Sequence, residues 1–455
     1  MIKKAKKLWS KKLKAAIISL SLGLAIALGG AVAAISISAN KNNNLGGEFA
    51  DIAVSGSGTA ASPYVITTPA DWTTVINRAS SASNYTYAVL GANITATITD
   101  ATYGKKFGNS TLNDGTEPFY YGALCVPADK YINLDLRNYK IDRALGTTSV
   151  AYGSVMVSFG HLIINGTATL NDTNGSRSAD YHTVNNVTVT GGMITGGNAN
   201  NATYAGGLSV RGGETILKGG AIYNNMATGS FEGSGVGVNV GTSGANTGSA
   251  PSVATFRMEG GYVVKNTSNC GDGAGRDGAG IGTCIDSTFY MSGGDVCWNT
   301  VYGTGNGWGG GISTRAPAFI TGGKVRHNYC QGQGGGMAPH ESTLSLSNFE
   351  ISNNIAGGPS AIYLRGTSLS FNNCIIKDNI SLSDTQAITT SSASATINMK
   401  GKIVLNGNYY LKGTEKLARS VYLASGQVIH ITGRIDLYIR STSFPQTFTL
   451  TNIKE

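Results

Sequence analysis

The sequence predicts an all-β fold, a parallel β-helix closed at its N-terminal end by one short α-helix. Two observations carry that prediction. A short motif recurs from about residue 160 onward: a Gly-Gly or other small corner, one variable residue, an aliphatic, two variable residues, then Asn. The composition agrees with it, because 64 Gly and only 13% charged residues accompany 41% hydrophobic residues in a 455-residue chain. Few strong helix formers lie beyond the first 35 residues, and small turn formers abound. That much apolar content excludes a disordered polymer. Short buried strands joined by small-residue turns satisfy both facts.

The motif reads Gly219-Gly220-Ala221-Ile222-Tyr223-Asn224-Asn225, and recurs to Asn266, Asn299 and Asn328 from the corners Gly260-Gly261, Gly293-Gly294 and Gly322-Gly323. Degenerate copies begin at Asn348-Phe349, Asn373-Cys374 and Lys400-Gly401 and reach Asn354, Asn379 and Asn406. The aliphatic is always Ile or Val: Ile222, Val263, Val296, Val325, Ile351, Ile376 and Ile403. An earlier copy at Gly191-Gly192-Met193-Ile194 reaches Asn198 one residue late. Each position has a physical reason in a coil. The glycine turns the chain where φ must be positive or a side chain would clash. The aliphatic points inward and stacks on its counterpart one turn away, about 4.8 Å distant. The asparagines occupy the next bend, where amides can form a hydrogen-bonded ladder. A second apolar strand precedes each corner, as at Phe289–Met291, and a third follows a Gly-rich loop, as at Gly309-Gly310-Gly311-Ile312. Three short strands per turn are expected. Asn-to-Asn intervals of 41, 33, 29, 26, 25 and 27 residues suit single turns with loops of variable length, not four-stranded propeller blades.

On these motifs the chain resembles the right-handed parallel β-helix repeat proteins of bacterial surfaces and secretions, the pectate-lyase-like superfamily in the broad sense, and especially its adhesin-like members. The resemblance covers about residues 160–440. Ser57–Ile66 is similar to the segment that opens such domains, and Ile132–Ile141 to their first full coil. It implies a right-handed coil, export, and a surface that meets polysaccharide, and it says little about activity.

Three regions are expected: a leader at 1–39, an N-terminal cap with the first coils at 40–160, and the repeats at 161–455. The leader carries seven lysines within Met1–Lys14, then an apolar run to Ala34 and a small-residue site at Ala31-Val32-Ala33. It reads as a signal peptide, with an uncleaved membrane anchor as the alternative. Either reading places the protein in the secreted or cell-surface compartment. The chain is +9 overall, but without those seven lysines 27 basic residues face 25 acidic ones. Basicity is thus a targeting property, and no clustered face for nucleic acid is left. Six cysteines without a CxxC pair argue against a zinc site, leaving disulfides or buried free thiols. A helix is expected from Thr68 to about Ala82, with Thr68 as N-cap, Pro69 in the first turn and Trp72, Val75 and Ile76 as its apolar face.

Catalytic signatures are sparse. Lyases on this fold need carboxylates for Ca²⁺ and a basic residue, and hydrolases need close acids. The candidates are Asp272, Arg276, Asp277, Asp286 and Asp295, with Asp272 and Asp277 as possible Ca²⁺ ligands; no other cofactor is evident. Acids in Gly-rich loops usually serve turns. Asp295, Lys324 and Glu350 should form one outward file, either a surface ion-pair ladder or an acid–base cleft. Tyr223, Tyr262, Trp298 and Trp308 lie beside the long inserts at 226–252 and 267–280, where they could stack on sugars or pack the loops. The favoured reading is a monomeric, non-catalytic, adhesin-like protein that binds glycans or cell surfaces through loops of the middle turns. Its alternatives are an extracellular polysaccharide lyase or glycoside hydrolase, and a purely structural surface protein.

Overall fold

Short strands of three to five residues cannot stand alone, and here each pairs with its counterpart one turn away. The computed structural model describes residues 54–81, 83–95, 124–150, 153–200, 205–228, 235–241, 254–270, 278–303, 307–340, 343–365, 368–391, 395–422, 429–432 and 435–437. The leader lies outside them. Four stacked sheets run along a parallel β-helix: sheet A of twelve strands, B of eleven, C of nine and D of ten. One turn passes through Ser287–Met291 in A, Asp295–Cys297 in B, Thr300–Gly303 in C and Ile312–Thr314 in D.

The turn therefore has four strands, not three. The unforeseen one, sheet C, follows each ladder asparagine directly and is as short as Tyr329–Cys330 or Ile355–Ala356. Its inward file, Ala227, Ser268, Val301, Cys330, Ala356 and Ser381, is fully buried but small and chemically mixed. Such segments show neither alternation nor an aliphatic run, so they read as loop. They also open what had read as inserts: Met226–Thr228 and Thr267–Cys270 are sheet C strands.

Sheet B holds Ile222, Val263, Val296, Val325, Ile351 and Ile376 in one continuous register with no exposure beyond 1%. Full burial of each such side chain contributes about 1.5–3 kcal/mol. The next member is Leu405, not Ile403, because Ile376 pairs with Leu405. The sequence offers two overlapping frames there, Ile403 to Asn406 and Leu405 to Asn408. One extra corner residue selects the second. Asn406 is exposed, whereas Asn408 is buried and accepts from the Asn379 backbone N–H and Nδ2.

From Asn266 to Asn379 each ladder amide does the same four things. Asn299 Nδ2 donates to Asn328 Oδ1 at 2.9 Å and to the Val263 carbonyl at 2.9 Å, while its Oδ1 accepts from Asn266 N and Nδ2 at 3.0 Å. Gly197, not Asn198, donates to Asn225 Oδ1, so the ladder starts at Asn225. The residue before each ladder asparagine is left-handed, with φ of 57° at Lys265, 58° at Trp298, 55° at His327 and 57° at Asp378. Gly407 takes that place before Asn408 at φ 65°, confirming the frame.

The cap helix, α1 (Pro69–Arg78), is held by a capping box between Thr68 and Asp71. It stops before the run Ser80-Ser81-Ala82-Ser83, whose serines favour caps and turns over helix. Trp72, Val75 and Ile76 are buried, and Trp72 Nε1 donates to the Cys125 carbonyl at 3.0 Å. Cys125, Cys284, Cys297, Cys330 and Cys374 are buried free thiols.

Candidate functional site

At the rung of His161–Asn165 the chain leaves the coil at Gly166 and returns at Gly192. Between them runs an antiparallel ribbon, Ala168–Asn171 against Thr188–Gly191 and Ser176–Arg177 against Val184–Asn185. Asn174-Gly175 and a string of Thr and Asn make this stretch look like loop, although its valines alternate enough to pair. The ribbon lies as a strap on the outer face of sheet B. Val184, Val187 and Val189 pack there with Ala221, Val264, Cys297 and Trp298, and Tyr223 and Tyr262 flank the cluster.

Two strap residues fasten it. Asp172 accepts from Trp298 Nε1 at 2.9 Å and from Arg326 at 2.6 Å. Burial pushes its carboxyl up, but those two hydrogen bonds outweigh it and hold it below the usual range. Arg326 also pairs with Asp295 at 2.7 Å, so one guanidinium bridges two carboxylates. Burial alone would lower its pKa; its anionic neighbours raise it instead. Asp295 is raised because burial outweighs that partner. Arg177 donates to the Asn299 and His327 carbonyls, to Thr300 Oγ1 and to its own strap at Tyr181. Burial lowers it to about 9. Its guanidinium lies between the rings of Trp298 and Tyr329. Trp298 stacks on His327 with centroids 4.4 Å apart, and burial with the Arg326 charge lowers His327 to about 4.

Trp298 is thus a structural anchor, 4% exposed, and not a sugar platform. Tyr223 is half-buried against the strap, and Trp308 is edge-on to His340 at 4.9 Å with Arg365 over its ring. Of the four aromatics Tyr262 also lines a concavity. That concavity is a groove of about 920 Å³ along the corner between sheets A and B. Its floor is the stacked corners Gly219-Gly220, Gly260-Gly261, Gly294 and Gly323, continued by Asn348-Phe349 and Asn373. Gly261 and Gly294 have φ of 73° and 85°, and a Cβ on Gly294 would stand 2.9 Å from the Gly261 carbonyl oxygen. The corner must be glycine to turn, and backbone consequently floors the groove. Tyr262, Asp295, Lys324, Glu350 and Ile375 stand along its sheet B side, one per rung in register. Gly166–Ala168, the base of the strap, line its N-terminal end.

Asp295, Lys324 and Glu350 share the expected file, but they do not pair along it. Each acid pairs with the base two positions further on the next rung: Asp295 with Arg326, and Glu350 with Lys377 at 3.4 Å. Glu350 also accepts from Ser352 Oγ at 2.8 Å. Lys324 is exposed and has no ion pair among the described residues. The ion-pair ladder is diagonal because the residues at i and i+2 on a strand share a face. Asp286 and Asp295 are not brought together. They flank opposite ends of Ser287–Met291, roughly 16 Å apart at ~3.3 Å per residue. Asp272, Arg276 and Asp277 lie outside the described residues. Among the described residues no group of three or more His, Cys, Asp or Glu could hold a metal ion. No protein family, curated protein or solved structure matches this chain. Fold and groove together define the class: a parallel β-helix with a strapped lateral groove.

Proposed function

We propose that the protein is an exported, non-catalytic β-helix that binds a glycan chain along the groove, acting at a cell surface or after secretion. The groove supports this reading. It is long, following seven rungs or ~29 Å at ~4.8 Å per rung. A linear pyranose chain advances by nearly one rung per sugar. A backbone floor admits a flat ring closely, while Tyr262, Lys324 and Glu350 offer hydrogen-bonding groups at rung intervals, the small set of polar contacts that orients a ligand. Export rests on the leader. The binding face is a groove beside the middle turns rather than their loops, because the loop-side aromatics Tyr223 and Trp298 are occupied by the strap.

One observation favours hydrolysis as the second reading. Asp295 and Glu350 lie two rungs apart, ~9.6 Å along the coil, near the ~6.5–9.5 Å that separates the carboxyls of inverting glycosidases. Against it, the Asp295 carboxylate is engaged by Arg326 and 9% exposed. A glycan array paired with reducing-sugar and ultraviolet elimination assays tests both. Binding that Lys324→Met and Glu350→Gln weaken, without product, is the expected result. Product formation abolished by Glu350→Gln sinks the binding-only reading, and silence in all three assays leaves a structural role.

A further inference from the structure

The sheet B side of the groove changes character along its length. Asp295, Lys324 and Glu350 stand on successive rungs, and the next residue in that file is Ile375. It is 38% exposed, and of the large exposed hydrophobics among the described residues it alone lines the groove. The floor changes at the same place. Where earlier corners are glycine, Asn348 takes the left-handed turn at φ 49° and adds a carboxamide. Asn348 is exposed, and its carboxamide makes no hydrogen bond among the described residues. The Asn373 amide, by contrast, accepts from the Lys402 backbone N–H at 2.9 Å. Glu350 completes the set: Ser352 and Lys377 both approach its Oε1, which leaves Oε2 to accept. Glu350 and Ile375 pair in register on neighbouring rungs, ~4.8 Å apart, with Asn348 at the corner beside them.

We infer that Asn348, Glu350 and Ile375 recognise an acetamido group, so that the glycan contains N-acetylhexosamine. This rests on the glycan reading above and names its ligand class. A bare hydroxyl gains nothing from an exposed aliphatic side chain, whereas a methyl laid against Ile375 takes apolar surface on both out of water. The Asn348 carboxamide supplies an N–H for the acetyl carbonyl, and Glu350 accepts from the acetamido N–H. An acetyl ester would bring the methyl and the carbonyl but no N–H for Glu350. The three groups serve one sugar, because a pyranose chain advances by nearly one rung per residue. They are a small polar set around one apolar contact, the arrangement that fixes a ligand's orientation.

The test uses the full chain with chitohexaose and cellohexaose, which share a backbone and differ only in the acetamido group at each second carbon. Titration calorimetry is expected to show chitohexaose binding at least tenfold tighter, about 1.4 kcal/mol. Equal affinity, or tighter binding of cellohexaose, overturns the inference and leaves the glycan reading intact. On a glycan array, hits that carry N-acetylhexosamine support the inference, and hits that all lack it overturn the inference alone. Silence for both hexamers together with an array free of hits removes the glycan reading itself. Two variants place the preference. Asn348→Gly removes the carboxamide at a corner whose positive φ suits glycine, as at Gly261 and Gly294. Ile375→Thr removes apolar surface at an exposed position, and circular dichroism verifies that both variants fold. Each is expected to weaken chitohexaose about tenfold and to leave cellohexaose unchanged. A folded variant that keeps the full preference, or that weakens both hexamers equally, overturns the assignment.

Discussion

Replacing Asn299 by alanine probes the ladder at its centre. The side chain makes four hydrogen bonds at 2.9–3.0 Å, and every group involved belongs to a fully buried residue. Alanine leaves the Asn266 backbone N–H, one Asn266 amide hydrogen and the Val263 carbonyl without those partners. At about 1–3 kcal/mol for each stranded buried group, the expected loss is about 4–6 kcal/mol. A typical domain has only about 5–15 kcal/mol in total, so the variant should be visibly unstable. Urea unfolding followed by circular dichroism reads the loss, and limited proteolysis should place new cleavage near the rungs of Asn266 and Asn328. Asn299→Leu fills similar volume and is expected to rescue nothing. A loss below about 1.5 kcal/mol, or rescue by leucine, would show that the amides merely fill space and would refute the reasoning.

The frame at the last repeat is tested by a pair of variants: Asn408→Ala should cost about 2–4 kcal/mol, and exposed Asn406→Ala less than about 0.5, in the same urea assay. Arg326→Met strands Asp172 and Asp295 and should cost about 3–5 kcal/mol, while adding Asp172→Asn and Asp295→Asn should recover most of it in a thermal unfolding series. His327 and His340 are lowered to about 4 and about 3, chiefly by burial with nearby arginines second. Both are neutral when folded, so the unfolded chain takes up protons first as pH falls below about 6.5. Stability is full above that value and declines toward pH 4 for His327 and pH 3 for His340. Unfolding free energies from urea titrations at pH 7.5 and pH 5 should differ by about 1–2 kcal/mol per histidine, and replacing both by Gln should flatten the dependence.

The parts of the fold legible in the sequence are those where one residue type does one job at a fixed interval. The glycine corners, the Ile/Val file and the asparagines meet that condition, and so does the Thr68-Pro69 helix start. Sheet C does not, because its inward file mixes Ala, Ser, Val and Cys and each strand is too short for periodicity to register. The Asn406 frame failed for a different reason, since both frames satisfy the motif and only packing at the corner decides. The groove was half visible: Asp295, Lys324 and Glu350 could be aligned, but their diagonal partners follow from strand geometry. The strap was hidden because it is held by contacts 122–154 residues apart in sequence, such as Arg177 to Asn299 and Asp172 to Arg326. No local pattern reports those. The aromatics beside the long inserts fit sugar stacking or loop packing equally well in sequence, and the strap gives Tyr223 and Trp298 the packing role.

A solenoid ordinarily behaves like a zipper, each turn gripping only its neighbours, so that it can open from either end one tooth at a time. The ribbon between Gly166 and Gly192 crosses the teeth as a rivet does, fixing the turns from Ala221 to Tyr329 to one piece of chain. Pulled or heated, those turns must let go together, while the turns beyond Tyr329 peel singly. The N-terminal half of the groove, from Gly219 to Lys324, therefore lies in the segment that keeps its shape under load.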